Sequence, residues 1–218
     1  MALTITHKNN QALLGDKNHL ELAEQKSFSD LVFEVLSEKE PNPLQSRVFN
    51  LILNLAIDHG VDTPSTAATI KAKRKTISEA VAAGVMQIND SHGGAIEPAM
   101  NFLYRIKEQN LDIAKEVEGY LSKKKLIAGF GHRLYKEVDP RAELIFRTMV
   151  EVNLGFEYIG IMRQVREELI KRGKNIPINI DGAIAAALCS FGWNPRLGKA
   201  VFIIARMPGL CAHYLNNT

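Results

Sequence analysis

From residue 29 to the end of the chain, apolar residues recur every three or four positions and almost nowhere every second one. A half-buried strand alternates with period two, whereas a helix brings the same face round every 3.6 residues. The chain is therefore expected to be all-α. In 43–57, Leu44, Val48, Leu51, Ile52 and Leu55 make one stripe, and in 156–172 Tyr158, Met162, Val165 and Leu169 make another. A period-two fragment occurs only at 3–6.

Local punctuation divides this pattern into helices. Expected spans are 29–37, 43–57, 64–75, 77–88, 95–108, about 113–121, 140–152, 156–172, 182–191 and 195–214. Glu-Pro-Asn-Pro stops the first, and Gly60 and Gly173 stop two others. Thr76 and Glu79 have capping-box spacing. Pro98 falls in a first turn, where its missing N–H does no harm. Asp139 then Pro140 reads as N-cap then first helical residue. Glu167–Lys171 and Glu168–Arg172 are spaced to pair along a helix. Residues 1–28 are polar and weakly patterned, an N-terminal arm.

With 46% hydrophobic residues in 218, the chain can bury a substantial core. Its net charge is only +3. The basic clusters at 71–75 and 123–125 are short and carry no interleaved aromatics, which argues against nucleic-acid binding. Each reads as a solvated helix end, or more sharply as a clamp for an anionic ligand. Cys189 and Cys211 lie in apolar helical patterns without metal spacing, so buried free thiols in a reducing compartment are expected. The N-terminus lacks an apolar signal region, and no run is long enough to span a membrane. A cytoplasmic protein is the expectation.

Three of the six histidines stand beside glycine at expected helix ends: His59 in Asp-His-Gly, His92 in Ser-His-Gly-Gly and His132 in Gly-Phe-Gly-His. Glycine lets backbone come close to a ligand. Each also has a plainer reading: a partner for a helix dipole, a polar helix entry, a loop residue. Asp181 follows Asn-Ile and precedes a run of small apolar residues. It reads either as the N-cap of 182–191 or as a carboxylate in an apolar wall, where desolvation makes it a better base. Arg206 is the last cation of the chain, on an apolar helix. Buried, it needs an anion, either an internal carboxylate or a substrate. Three histidines and an aspartate could hold zinc, but their spacings carry no ligand signature, and no metal is expected. Gly129-Phe130-Gly131 has no strand before it and is not a dinucleotide fingerprint.

Taken together, SHGGAIE (91–97), GFGHRLYKEVDPRA (129–142) and NIDG (179–182), in that order, resemble the citrate synthase superfamily. The resemblance runs from about residue 27 to 215. It implies an all-α fold with a large helical domain, here 29–109 and 176–218, and a small one, here 110–175. It implies a homodimer or higher homo-oligomer, no permanently bound cofactor, and a coenzyme A thioester as substrate. It assigns His92 to the thioester oxygen, Asp181 to the proton at the methyl carbon and His132 to the oxaloacetate carbonyl, the citryl hydroxyl in reverse. His59, Arg141 and Arg206 would hold oxaloacetate or citrate carboxylates. The backbone of Ile127, Ala128, Gly129, Phe130 and Gly131 would face the CoA adenine. No Lys or Arg follows Arg206 to match the arginine that the family's longer tail delivers across its dimer.

Within that superfamily the compact layout is similar to citryl-CoA lyases and to the C-terminal module of ATP-citrate lyase. The implied reaction is cleavage of citryl-CoA to acetyl-CoA and oxaloacetate. The alternatives are a short citrate synthase, and a non-catalytic CoA- or carboxylate-binding partner subunit.

Overall fold

The computed structural model describes residues 2–89 and 93–217. The chain divides into two compact units, Met1–Leu51 and Ile52–Thr218.

The first unit is not a plain arm. It opens with an antiparallel sheet in the order β1 (Ile5–Lys8), β2 (Gln11–Leu14), β3 (Lys17–Asn18). Ile5 pairs with Leu14 and Lys8 with Gln11, leaving Asn9 and Asn10 as a two-residue turn. Both have positive φ, 50° and 62°, which a tight hairpin requires and asparagine tolerates. The alternation is hard to read in sequence because β1 is exposed at every position. Helix α1 (His19–Gln25) follows, capped by Asn18, then α2 (Phe28–Ser37), capped by Ser27. Phe33 of α2 meets Phe49 edge to face, with ring centroids 5.4 Å apart.

The remaining helices are α3 (Pro43–Leu55), α4 (Pro64–Lys71), α5 (Ile77–Val85), α6 (Ile96–Glu108), α7 (Ile113–Ser122), α8 (Pro140–Glu151), α9 (Phe156–Lys171), α10 (Ile180–Ser190) and α11 (Leu197–Leu215). Among the described residues this makes eleven helices, one more than the periodicity predicts, the addition being α1. Thr76 and Glu79 form the expected capping box, and Asp139 caps α8 ahead of Pro140. On α9, Glu168 takes both Lys171 and Arg172, so Lys171 finds Glu168 at 2.7 Å rather than Glu167. Both basic clusters fall at helix ends: Lys71 closes α4, and Lys123 caps α7.

Helix α10 organises the second unit. It is apolar all round and buried from Gly182 to Cys189, as a central helix must be. Its alanines let α6, α8 and α9 pack close. Helix α11 packs on α4, α5 and α6. Cys189 is buried and Cys211 half-buried, both free thiols. No described helix is long and apolar enough to cross a membrane.

Candidate active site

The entry to α10 is tied to the glycine loop before α8. Phe130 bridges to Ile178, Gly131 N–H donates to Pro177 O, and Asn179 N–H donates to Gly129 O at 3.0 Å. Gly129 has φ +87°, and a Cβ on it would come within 2.8 Å of Gly182 Cα. The two backbones touch because neither residue has a side chain. The N-cap of α10 is Asn179, whose Oδ1 accepts from Gly182 N–H and whose Nδ2 donates to Gly131 O at 2.8 Å. Asp181 is therefore not the N-cap. It lies in the first turn, its carboxylate free for other work.

Arg141, in the first turn of α8, is the hub. Its Nε and Nη2 donate to the two carboxylate oxygens of Asp139 at 3.0 and 2.8 Å. Its Nη1 lies 3.2 Å from His59 Nδ1, and its Nη2 lies 3.1 Å from His132 Nε2. Its guanidinium also covers the Tyr135 ring at 5.4 Å. Asp139, 1% exposed, accepts in addition from Ile180 N–H at 3.1 Å. One carboxylate thus caps α8, orients Arg141 and anchors the turn that carries Asp181. Burial by itself would raise the Asp139 carboxyl, but the bonds and charge of Arg141 outweigh it and hold it below the usual range. Sequence reading finds Asp139 only as a cap. Its link to Ile180 joins residues 41 apart, and no local pattern reports it.

The ring of His132 is stacked on Tyr135, centroids 4.7 Å apart. Its Nδ1 accepts from the N–H groups of Leu134 and Tyr135 at 3.1 and 3.0 Å. Those fixed donors put the proton of the neutral ring on Nε2. Burial, then the charge of Arg141, lowers its basicity and opposes the imidazolium. The Nε2–H of His132 and the Nη2–H of Arg141 therefore converge, a geometry suited to one electron-rich oxygen. His59 stands edge to face with His132 at 5.3 Å. Burial, then Arg141, pushes its pKa down to about 4, so it is neutral at pH 7 and accepts from Arg141.

Arg206, 2% exposed, projects from α11. Its Nε donates to Ala56 O at 2.9 Å, and its charge lies over the Phe202 ring at 4.9 Å. Its Nη1 has no hydrogen-bond partner, and no ion pair joins it to a carboxylate, among the described residues. A buried guanidinium cannot shed its charge, so an unpartnered donor there calls for an anion. Asp181 is half-buried, and burial pushes its pKa up to about 6 against the offsetting charges of Arg141 and Arg206.

These groups share one cavity of about 420 Å³, lined by His59, His132, Arg141, Asn179, Asp181 and Arg206 among others, including Gly93 of the Ser-His-Gly-Gly segment. His92 lies outside the described residues. A larger opening of about 770 Å³ runs along α9 and the α6–α7 turn, without such a convergence of acid–base groups. Among the described residues no cluster of His, Cys, Asp and Glu could hold a metal ion.

The sequence model of the family described as "Citrate synthase, C-terminal domain" matches residues 1–218. "Citrate synthase 2" of Bacillus subtilis is 32% identical over 184 residues, 83% of this chain and 49% of that protein. A citrate synthase of Synechocystis is 33% identical over 83% of this chain and 47% of its own length. The chain spans about half the length of these curated relatives. Among solved structures, citryl-CoA lyase from Hydrogenobacter thermophilus superposes with a TM-score of 0.93 at 33% identity, covering 98% of this chain and 84% of that one. ATP citrate lyase of Methanosaeta concilii, solved with (3S)-citryl-CoA, shares the fold with a TM-score of 0.89 at 22% identity, over 99% of this chain and 38% of that one.

Proposed function

Because the chain belongs to the citrate synthase family, we propose that it cleaves citryl-CoA to acetyl-CoA and oxaloacetate. The observation that carries this reading is the convergence of Asp181 with two arginines and two neutral imidazoles on one cavity. The likeness to citryl-CoA lyase over nearly the whole chain favours cleavage.

Arg141 and Arg206 bind the substrate's carboxylates, with His59 as a neutral third contact. Guanidinium forks orient such groups as well as attract them. The citryl hydroxyl oxygen takes the point between His132 Nε2–H and Arg141 Nη2–H. Both stabilise it as it becomes an alkoxide. The carbon–carbon bond then breaks, the alkoxide becomes the oxaloacetate carbonyl, and the bonding pair moves into the thioester as an enolate. His92 holds the enolate oxygen. Asp181 delivers its proton to the new methyl carbon, for which a pKa near 6 keeps a useful protonated fraction. With Nδ1 occupied by two backbone donors, His132 acts as a donor to oxygen; the hydroxyl proton passes to solvent water at the cavity, and solvent later returns a proton to the Asp181 carboxylate.

The CoA thioester is the substrate rather than a resident cofactor, and the steps above use no metal. The backbone of 127–131 faces the adenine in this reading. The division into large and small helical domains, and a homodimer or higher homo-oligomer, belong to it too. The second reading is a short citrate synthase using the same residues in reverse, which the named relatives favour.

The test is a coupled assay in which malate dehydrogenase and NADH report oxaloacetate released from citryl-CoA. Rapid NADH loss that disappears in Asp181→Ala supports the lyase. Free CoA from acetyl-CoA plus oxaloacetate, without cleavage, supports the synthase. No turnover in either direction, with no rise in melting temperature on adding citrate, rejects both.

A further inference from the structure

The loop that carries His59 is held from behind by one face of α11. Arg206 Nε donates to Ala56 O at 2.9 Å. About one turn on, Gly209 presses directly on the loop: a Cβ there would lie 2.3 Å from Ile57 O and 3.0 Å from Asp58 Cβ. One more turn brings His213 Nε2 to 3.1 Å from both carboxylate oxygens of Asp58. Residues 206, 209 and 213 share a helix face by spacing.

The Asp58 carboxylate is the knot of this arrangement. Its Oδ2 accepts from Gly60 N–H at 3.1 Å, and the carboxylate also takes the N–H of His59. The group that His213 holds is therefore the group that shapes the backbone at His59. His59 in turn reaches Arg141 at 3.2 Å. His213 does not line the cavity, so it has no place among groups that touch substrate.

We propose that His213 is a positioning residue for the substrate's carboxylates, acting through Asp58 to fix His59 against Arg141. This rests on the reading of His59, Arg141 and Arg206 as the carboxylate-binding set.

The experiment uses the full chain with His213→Ala and His213→Gln, assayed on citryl-CoA and observed by imidazole NMR. In His213→Ala, KM rises roughly three- to tenfold, as for loss of one charge-assisted bond at a partly exposed site. Its kcat stays within about twofold. His213→Gln, whose amide can donate to Asp58, restores KM. In His213→Ala the titration of His59 also moves up from about 4, because a loosened loop lets water in beside Arg141, His132, Arg206 and Asp139, the groups that face it. An unchanged KM, or a fall in kcat alone, overturns the proposal. If wild type neither turns over nor binds citrate, the proposed function fails. The His59 titration then decides this inference by itself: a rise supports it and no movement sinks it. Should His213→Ala not fold, Asp58→Asn takes its place with the same expected directions.

Discussion

Two buried ionic groups in this protein are built on opposite plans. In the first unit, Glu34 is 3% exposed and is met by Lys17 at 2.7 Å and Lys26 at 2.6 Å. Burial would raise its pKa, but the two lysines outweigh that and lower it. Its charge is answered from within the chain. In the second unit, Arg206 is equally buried yet keeps an unpartnered Nη1 among the described residues, and Arg141, besides holding Asp139 and His59, points an Nη2–H beside the Nε2–H of His132. An ion network that serves only the fold closes on itself. In the proposed reading the second network serves an anionic ligand and keeps donors in reserve, at a cost in stability.

The sharpest way to break this contrast is at Asp181. Asp181→Ala should lower kcat for citryl-CoA cleavage by about 10³-fold, the scale of a lost acid–base group, while the melting temperature holds or rises. A variant that retains most of its rate in the coupled assay would remove Asp181 from the chemistry.

Next comes Asp139→Ala, which strands Arg141 and the Ile180 N–H. It should destabilise the protein by about 3 kcal/mol in urea unfolding and abolish citrate binding as well. Stability lost without binding lost would reduce Asp139 to a helix cap.

The paired test sets Glu34→Gln against Arg206→Met. Glu34→Gln should cost about 1–3 kcal/mol and leave citrate-induced thermal stabilisation intact. Arg206→Met should cost little or raise the melting temperature, because it removes an uncompensated buried charge, while calorimetry shows citrate affinity falling at least about tenfold. The same outcome in both variants would dissolve the distinction between the two regions.

The smallest effect is the dependence on pH. The native pKa of Asp181, about 6, lies above its ordinary 3.8. Its contribution to stability is complete below 3.8 and is lost as pH rises through 6. Asp181→Asn should therefore gain melting temperature over wild type above pH 6 and lose that gain towards pH 4. For cleavage, which needs the protonated acid, kcat/KM should fall above about 6. Condensation, which needs the carboxylate, should rise over the same range.

The helices of the second unit were legible because burial imposes the 3.6-residue period directly on the sequence. The Thr76–Glu79 box and the Asp139–Pro140 start were legible because capping is local. The hairpin was not, since the fully exposed β1 carries no burial period and its signals are only the short period-two fragment at 3–6 and Asn9-Asn10. The candidate residues of the site were named by motif and by resemblance, yet Asn179 rather than Asp181 proved to cap α10.

By itself, then, the sequence determined a helical chain, most helix starts, and which side chains could do acid–base and anion-binding work. Those follow from periodicity and local chemistry, which act over a few residues. Only the tertiary structure decided that Asp139 reaches from α8 to Ile180, that His213 holds Asp58 across 155 residues, and that Arg206 is buried with a donor to spare among the described residues. Such contacts depend on distance and desolvation between segments remote in the chain, and neither is written in any window of the sequence.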